Sequence, residues 1–171
     1  MPHRRRPARL PGLLCGLGLG AFVDGIVAHQ LLQWHHMVSD VAAHPTGTVA
    51  GLEANTLADG LFHVAAWLAV AAASALTVVT VRQGRFLPDW RFQGGLVLAG
   101  WGLFDLVEGV VDHHLLGVHH VRDDLGGPLL WDLGFLALGA ALLVGGWSLQ
   151  RSGARRSGAD QATGRGRHDR G

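Results

Sequence analysis

Four apolar stretches, at roughly residues 10–36, 57–81, 92–118 and 128–149, alternate with short polar segments along the chain. Each reaches or exceeds the ~20 residues that a helix needs to cross the hydrocarbon core of a bilayer. The pattern predicts an all-α, polytopic membrane protein with four transmembrane helices. Polar residues interrupt the stretches at matching places. Asp24-Gly25-Ile26-Val27-Ala28-His29-Gln30-Leu31-Leu32-Gln33-Trp34-His35-His36 is answered by Glu108-Gly109-Val110-Val111-Asp112-His113-His114-Leu115-Leu116-Gly117-Val118-His119-His120, at a constant offset of 84 residues. Both copies carry an acid, a Gly, two β-branched residues, a His, Leu-Leu and a terminal His-His. The second and fourth stretches open on Leu57-Ala58-Asp59-Gly60-Leu61-Phe62-His63 and Leu130-Trp131-Asp132-Leu133-Gly134-Phe135, each with one Asp near its outer end.

These correspondences read as two tandem two-helix repeats. Each unit crosses twice, so the units run parallel, related by a pseudo-two-fold axis along the membrane normal. Four antiparallel helices with short connections predict a bundle, and the many Gly and Ala residues in it permit close helix contact.

Composition sharpens this picture. Hydrophobic residues make up 49% of the chain, and all fourteen basic residues are Arg that avoid the apolar stretches. The net charge of +1 therefore hides a sorting, with Arg at the ends and in the loop of Arg82, Arg85 and Arg91, many of the acids inside the stretches, and only Arg122 breaking the pattern. That distribution argues against a nucleic-acid surface and for membrane lipid as the surrounding partner; no particular protein partner is indicated. Residues 1–9 read as a basic cytoplasmic N-terminus, 10–149 as the transmembrane domain, and 150–171, rich in Gly, Arg and Ser, as a disordered cytoplasmic tail. With Arg82, Arg85 and Arg91 between the second and third spans, the positive-inside rule puts both termini on the cytoplasmic side of the membrane.

The candidate chemistry lies in the outer half of the spans. A charge within a membrane is costly unless it is paired or bound. With a ~1.5 Å rise per residue, His29 and His113 lie about 7.5 Å beyond Asp24 and Glu108, and the His-His pairs about 17 Å beyond. On an α-helix positions seven apart nearly eclipse, which sets His29 above His36 and His113 above His120, with a second stripe through Asp105, Glu108, Asp112 and His119. Asp59 and His63 lie one turn apart. Imidazoles and carboxylates from several helices converging on one interior is how helical bundles hold metal ions. The candidate ligands are Asp24, His29, His36, Asp59, His63, Glu108, Asp112, His113, His120 and Asp132, with His35, His114 and His119 as second choices. The single Cys15 lies toward the inner end, so thiolate chemistry is disfavoured and nitrogen and oxygen donors suit zinc, iron or copper(II). Haem, held by two axial His, is the less favoured cofactor. Two other classes compete: a structural or assembly subunit whose His and Asp only join helices, and a proton or ion pathway. Whether the protein is an enzyme stays open.

The segments Gly20 to Gly25, Gln33 to Met37, Asp59 to His63, Gly102 to Gly109, Asp112 to Arg122 and Trp131 to Phe135 together resemble a family of predicted bacterial membrane proteins catalogued as domain of unknown function 2243. The resemblance covers about residues 12–149. It implies a small four-helix inner-membrane protein and carries no activity with it.

Overall fold

The computed structural model describes residues 6–168. Residues 1–5 of the basic N-terminus and 169–171 of the tail lie outside them. Among the described residues the chain is helical, without strands: α1 (Leu10–Asp24), α2 (Val49–Arg82), α3 (Trp90–Glu108) and α4 (Leu129–His168). Their spans Leu10–Leu31, Val49–Arg82, Trp90–Leu116 and Leu129–Ala159 are long and apolar enough to cross a membrane. The helix starts follow from local chemistry. Pro11 sits at the first positions of α1, where its missing N–H costs nothing. Thr48 Oγ1 accepts the Gly51 N–H at 3.1 Å to cap α2, and Asp89 Oδ1 accepts the Phe92 N–H at 2.9 Å to cap α3.

The four helices lie as a row rather than a closed bundle. α1 and α3 pack at the centre, α2 flanks α1, and α4 flanks α3, while α2 and α4 do not touch. The reason is where the small residues fall. A Cβ added at Gly16 would land on the Val97 carbonyl, and one at Gly100 on the Leu13 carbonyl, so α1 and α3 meet backbone to backbone. Gly102 and Gly146 do the same between α3 and α4. The outer helices turn large apolar side chains outward, among them Leu61, Trp67 and Leu68 on α2 and Leu138 and Val144 on α4. Such a surface suits lipid, not water.

Two further differences from the sequence reading concern length. The first span ends at Leu31 instead of continuing to His36. At the other end α4 continues to His168, through a stretch whose composition predicts no structure. Part of that continuation has a packing reason: Gln150 is buried, and Gly153 sits so close to Asp89 and Phe92 that a Cβ there would collide with them.

The ends of the row differ in charge. The Ala8 N–H donates to the Arg85 carbonyl at 3.0 Å, tying the start of α1 to the loop after α2, and Arg9 and Arg151 both lie over Trp147. Arg6, Arg9, Arg85 and Arg151 therefore share one end. Asp40, Asp123 and Asp124 lie at the other. Between them a small apolar cluster of Ala21, Ala66 and Phe104, backed by Leu17, Phe22 and Phe62, fills the middle.

If the α1–α3 contact sets the architecture, Gly100→Leu should cost at least ~2 kcal/mol by overpacking. Gly94→Ala, whose added methyl meets nothing within 4 Å, should hold or slightly raise stability. Thermal melts of the detergent-solubilised variants, followed by loss of the monodisperse chromatographic peak, check both.

Candidate metal centre

The site is made by two helix ends that stop being α-helical. α1 passes into a π-helical segment, Gly25–Leu31, and α3 into another, Gly109–Leu116. Each wider turn shifts the direction in which the next residues leave. Leu32 N–H then bonds Val27 O at 2.8 Å, and Trp34 N–H bonds Ala28 O at 2.9 Å; in the other half Val118 N–H bonds Asp112 O at 3.1 Å. Gln33 (φ 51°) and Gly117 (φ 56°), 84 residues apart, both take the left-handed conformation that reverses the chain. The His-His pairs therefore do not continue outward along a helix. They fold back, bringing His35 Nε2 to 4.0 Å from Asp24 Oδ2 and His119 Nε2 to 3.9 Å from Glu108 Oε1. The ~17 Å separation expected from an unbroken helical rise does not hold, because the helix ends before the pair is reached.

Hydrogen bonds fix each ring. His35 Nδ1 donates to the Val121 carbonyl at 3.0 Å, and His119 Nδ1 donates to the Met37 carbonyl at 3.2 Å. A carbonyl only accepts, so each Nδ1 carries the proton and the Nε2 of the neutral ring keeps its lone pair. Burial pushes the His35 imidazole below its ordinary pKa and the His119 imidazole well below, which favours that neutral form. Asp59 accepts from His29 Nδ1 at 2.9 Å, from His36 Nδ1 at 2.7 Å and from the Met37 N–H at 2.9 Å. Asp132 accepts from His120 Nδ1 at 2.7 Å and from the Val121 N–H at 2.9 Å, and its Oδ1 lies 3.5 Å from His113 Nδ1. The loops are pinned alike: His36 N–H donates to Ser39 Oγ at 3.0 Å, and His120 N–H to Asp123 Oδ1 at 2.8 Å. Ser39 Oγ also donates to Asp123 Oδ2, joining the two loops.

The four inner imidazoles form one stack. His35 and His119 lie parallel, with centroids 4.6 Å apart and planes 3° from parallel. His29 stands edge-on to His35 at 4.5 Å, and His113 to His119 at 4.8 Å. Around them the Nε2 atoms of His35, His113 and His119 and both Glu108 carboxylate oxygens are buried without a hydrogen-bond partner, while His29 Nε2 and Asp24 Oδ2 are buried against each other. Ligand atoms of His29, His35 and His119 lie within 4.8 Å of one another, and so do those of Asp24, His29 and Glu108. His29 Nε2 is 3.1 Å from Asp24 Oδ2. Each buried polar group left unpaired costs ~1–3 kcal/mol, and a charged one more. A cation held between these groups would satisfy several of the unpartnered atoms together.

Among the sequence candidates, Asp24, His29, Glu108 and His113 meet here. Asp59 and Asp132 stand one layer out and hold imidazoles, and His36 and His120 are held by them at the rim. Three candidates are elsewhere: His63 donates Nδ1 to the Asp59 main-chain carbonyl on its own helix at 2.7 Å, Asp112 is half-buried outside both ligand sets, and His114 is exposed. His35 and His119, second choices from the sequence, occupy the middle. Asp105, recognised only as part of a stripe, is buried with Oδ2 unpartnered. Gly117 after Leu115-Leu116 is the one sequence signal for the chain reversal, since Gly favours the left-handed region; Gln33 gives no such signal in the first half.

No curated protein and no solved structure matches the chain. A family model does, over residues 11–153, and its description is that of a predicted membrane protein. The chain belongs to that family, the predicted membrane proteins DUF2243.

Proposed function

We propose that this protein is a metal-binding membrane protein whose four helices carry a buried centre formed by His29, His35, His113 and His119 with Asp24 and Glu108. The single observation behind this reading is the pair of overlapping, buried groups of ligand atoms, His29, His35 and His119 in one and Asp24, His29 and Glu108 in the other. Asp59 and the Met37 and Val121 carbonyls hold the rings so that Nε2 faces inward, the arrangement by which proteins orient metal-bound imidazoles. The donor set suits zinc, iron or copper(II). The two ligand groups share His29, whose Nδ1 is held by Asp59, so its Nε2 lone pair serves a single ion. A bare ion is favoured over haem, because the parallel His35 and His119 rings at 4.6 Å leave no space for a porphyrin between them. The task the geometry supports best is metal handling or redox service within the membrane.

The same reading includes the membrane and the history of the chain. The Arg-bearing end, facing away from the acidic end, supports a cytoplasmic membrane with both termini inside. Contacts that recur at an offset of 84 residues, such as His35 to Val121 and His119 to Met37, support two tandem repeats.

Elemental analysis of detergent-purified protein tests the centre. The wild type should carry near-stoichiometric zinc, iron or copper, and His35→Leu/His119→Leu should lose it while still inserting in membranes. Metal-free wild type, or an unchanged metal content in the variant, would contradict the proposal. The repeat reading generates its own test. Asp59→Ala and Asp132→Ala should each destabilise by roughly 3 kcal/mol, because each leaves imidazoles and a buried amide without an acceptor. Thermal melts showing a large loss for one and none for the other would argue that the two halves are not equivalent.

A further inference from the structure

The Arg-bearing end of the row holds a cavity of about 410 Å³, within the ~300–1,000 Å³ usual for small-molecule sites. Arg6, Arg9 and Arg85 line it, with Phe92 and Ala154 among its apolar wall. The wall thus comes from the segment ahead of α1, the loop after α2, the start of α3 and the far part of α4. The Ala8 N–H on the Arg85 carbonyl holds two of these together, and Arg85 Nε makes a long contact of 3.5 Å to the Arg6 carbonyl.

The three guanidiniums lack a counter-charge. Among the described residues no carboxylate lines the cavity, and the one ion pair of an Arg with a carboxylate is Arg122 with Asp124, at the opposite end. Asp89, the acid nearest along the chain, spends its Oδ1 on the Phe92 N–H. Arg9 lies over Trp147 at 5.3 Å from the ring centre, and Arg85 Nη1 reaches Gln83 Oε1 at 3.5 Å; both contacts position a guanidinium and neither offsets its charge. Like charges gathered in one concavity raise the local potential and draw an anion to it. The planar N–H fork of Arg matches phosphate oxygens in particular.

The level of the cavity selects the source of that phosphate. The span of α1 begins at Leu10, that of α2 ends at Arg82 and that of α3 begins at Trp90. The guanidiniums therefore stand where the apolar surface gives way, which is the headgroup level of a bilayer. Apolar surface continues from them into the membrane: Leu10, next to Arg9 in the chain, is 61% exposed, and Trp90 is 71% exposed. A free anion gains nothing from such a surface, whereas an amphiphile covers it.

We propose that this cavity binds the headgroup of an anionic phospholipid, with its phosphate among Arg6, Arg9 and Arg85 and its chains along Leu10 and the apolar surface beyond. Basic pockets between membrane helices hold anionic headgroups in this way. A zwitterionic headgroup fits less well, because its ammonium adds a fourth cation to three. The bound lipid supplies the negative charge that this end of the protein lacks, and joins the segment ahead of α1 to the α2–α3 loop. The site is independent of the metal centre.

Native mass spectrometry of full-length protein in neutral detergent, titrated with phosphatidylglycerol or phosphatidylcholine, tests this. Wild type should retain one phosphatidylglycerol and bind phosphatidylcholine at least ~10-fold more weakly, the loss expected for about one charge-assisted hydrogen bond. Arg6→Gln/Arg9→Gln/Arg85→Gln should weaken phosphatidylglycerol binding by ~10-fold or more. Arg82→Gln/Arg91→Gln/Arg155→Gln removes the same charge outside the cavity, and at ~0.15 M salt should stay within about 2-fold of wild type. Equal affinity of wild type for the two lipids would overturn the proposal, whatever the variants do. Equal losses in the two triple variants would also overturn it, because the attraction would then belong to the whole end of the protein. Inorganic phosphate that displaces the lipid at equal concentration would overturn the lipid as the source, in favour of a free anion.

Discussion

Among the hydrogen bonds that cross between the two loops, two hold imidazoles: the His35 ring donates to the Val121 carbonyl and the His119 ring to the Met37 carbonyl. Each imidazole sits on the loop of one half and is held by the loop of the other. Turning polar backbone and an imidazole inward is unfavourable unless the groups find partners there, and these bonds, with the Asp40 N–H on the Val118 carbonyl and the Asp124 N–H on the Trp34 carbonyl, supply them. With them, two rings stack in parallel, their Nε2 atoms are fixed in one tautomer, and two loops become one lid. Asp59 and Asp132 extend the same logic outward by accepting both an imidazole and a backbone amide from the returning chain.

The rest of the architecture makes room for this pairing. Glycine contacts let α1 and α3 approach so closely that their acidic residues, Asp24 and Glu108, face one shared interior. The π-helical turns then release the chain at the level where those acids lie. The outer helices contribute one Asp each at their outer ends and otherwise present apolar side chains to lipid. A row of four helices suffices for this. A closed bundle would place α2 and α4 in contact, which the chemistry does not require.

Much of this was legible in the sequence, for identifiable reasons. A transmembrane helix announces itself by length and hydropathy alone, so the four spans could be read directly. Buried ionisable residues in a membrane are rare enough to mark candidates, and the structure brings three of them, Asp24, His29 and Glu108, within reach of one another. What could not be read was direction. Projecting a uniform helical rise carried His35 and His119 away from Asp24 and Glu108, and only Gly117 hinted at a reversal that Gln33 makes equally well. Asp105 and the helical extension beyond Ser152 were hidden for a related reason: both depend on what a neighbouring helix offers, Gly139 beside the one and Asp89 with Phe92 beside the other. Composition does not record neighbours.

The account stands on imidazole nitrogen and carboxylate oxygen meeting at one ion. X-ray absorption at the metal edge of the loaded, detergent-purified protein addresses that most directly. The bound ion should be surrounded chiefly by imidazole nitrogen, three or four rings at ~2.0–2.1 Å with carboxylate oxygen beside them, typical of His-ligated zinc. A shell of oxygen alone, as for an ion held loosely by surface carboxylates, would contradict it.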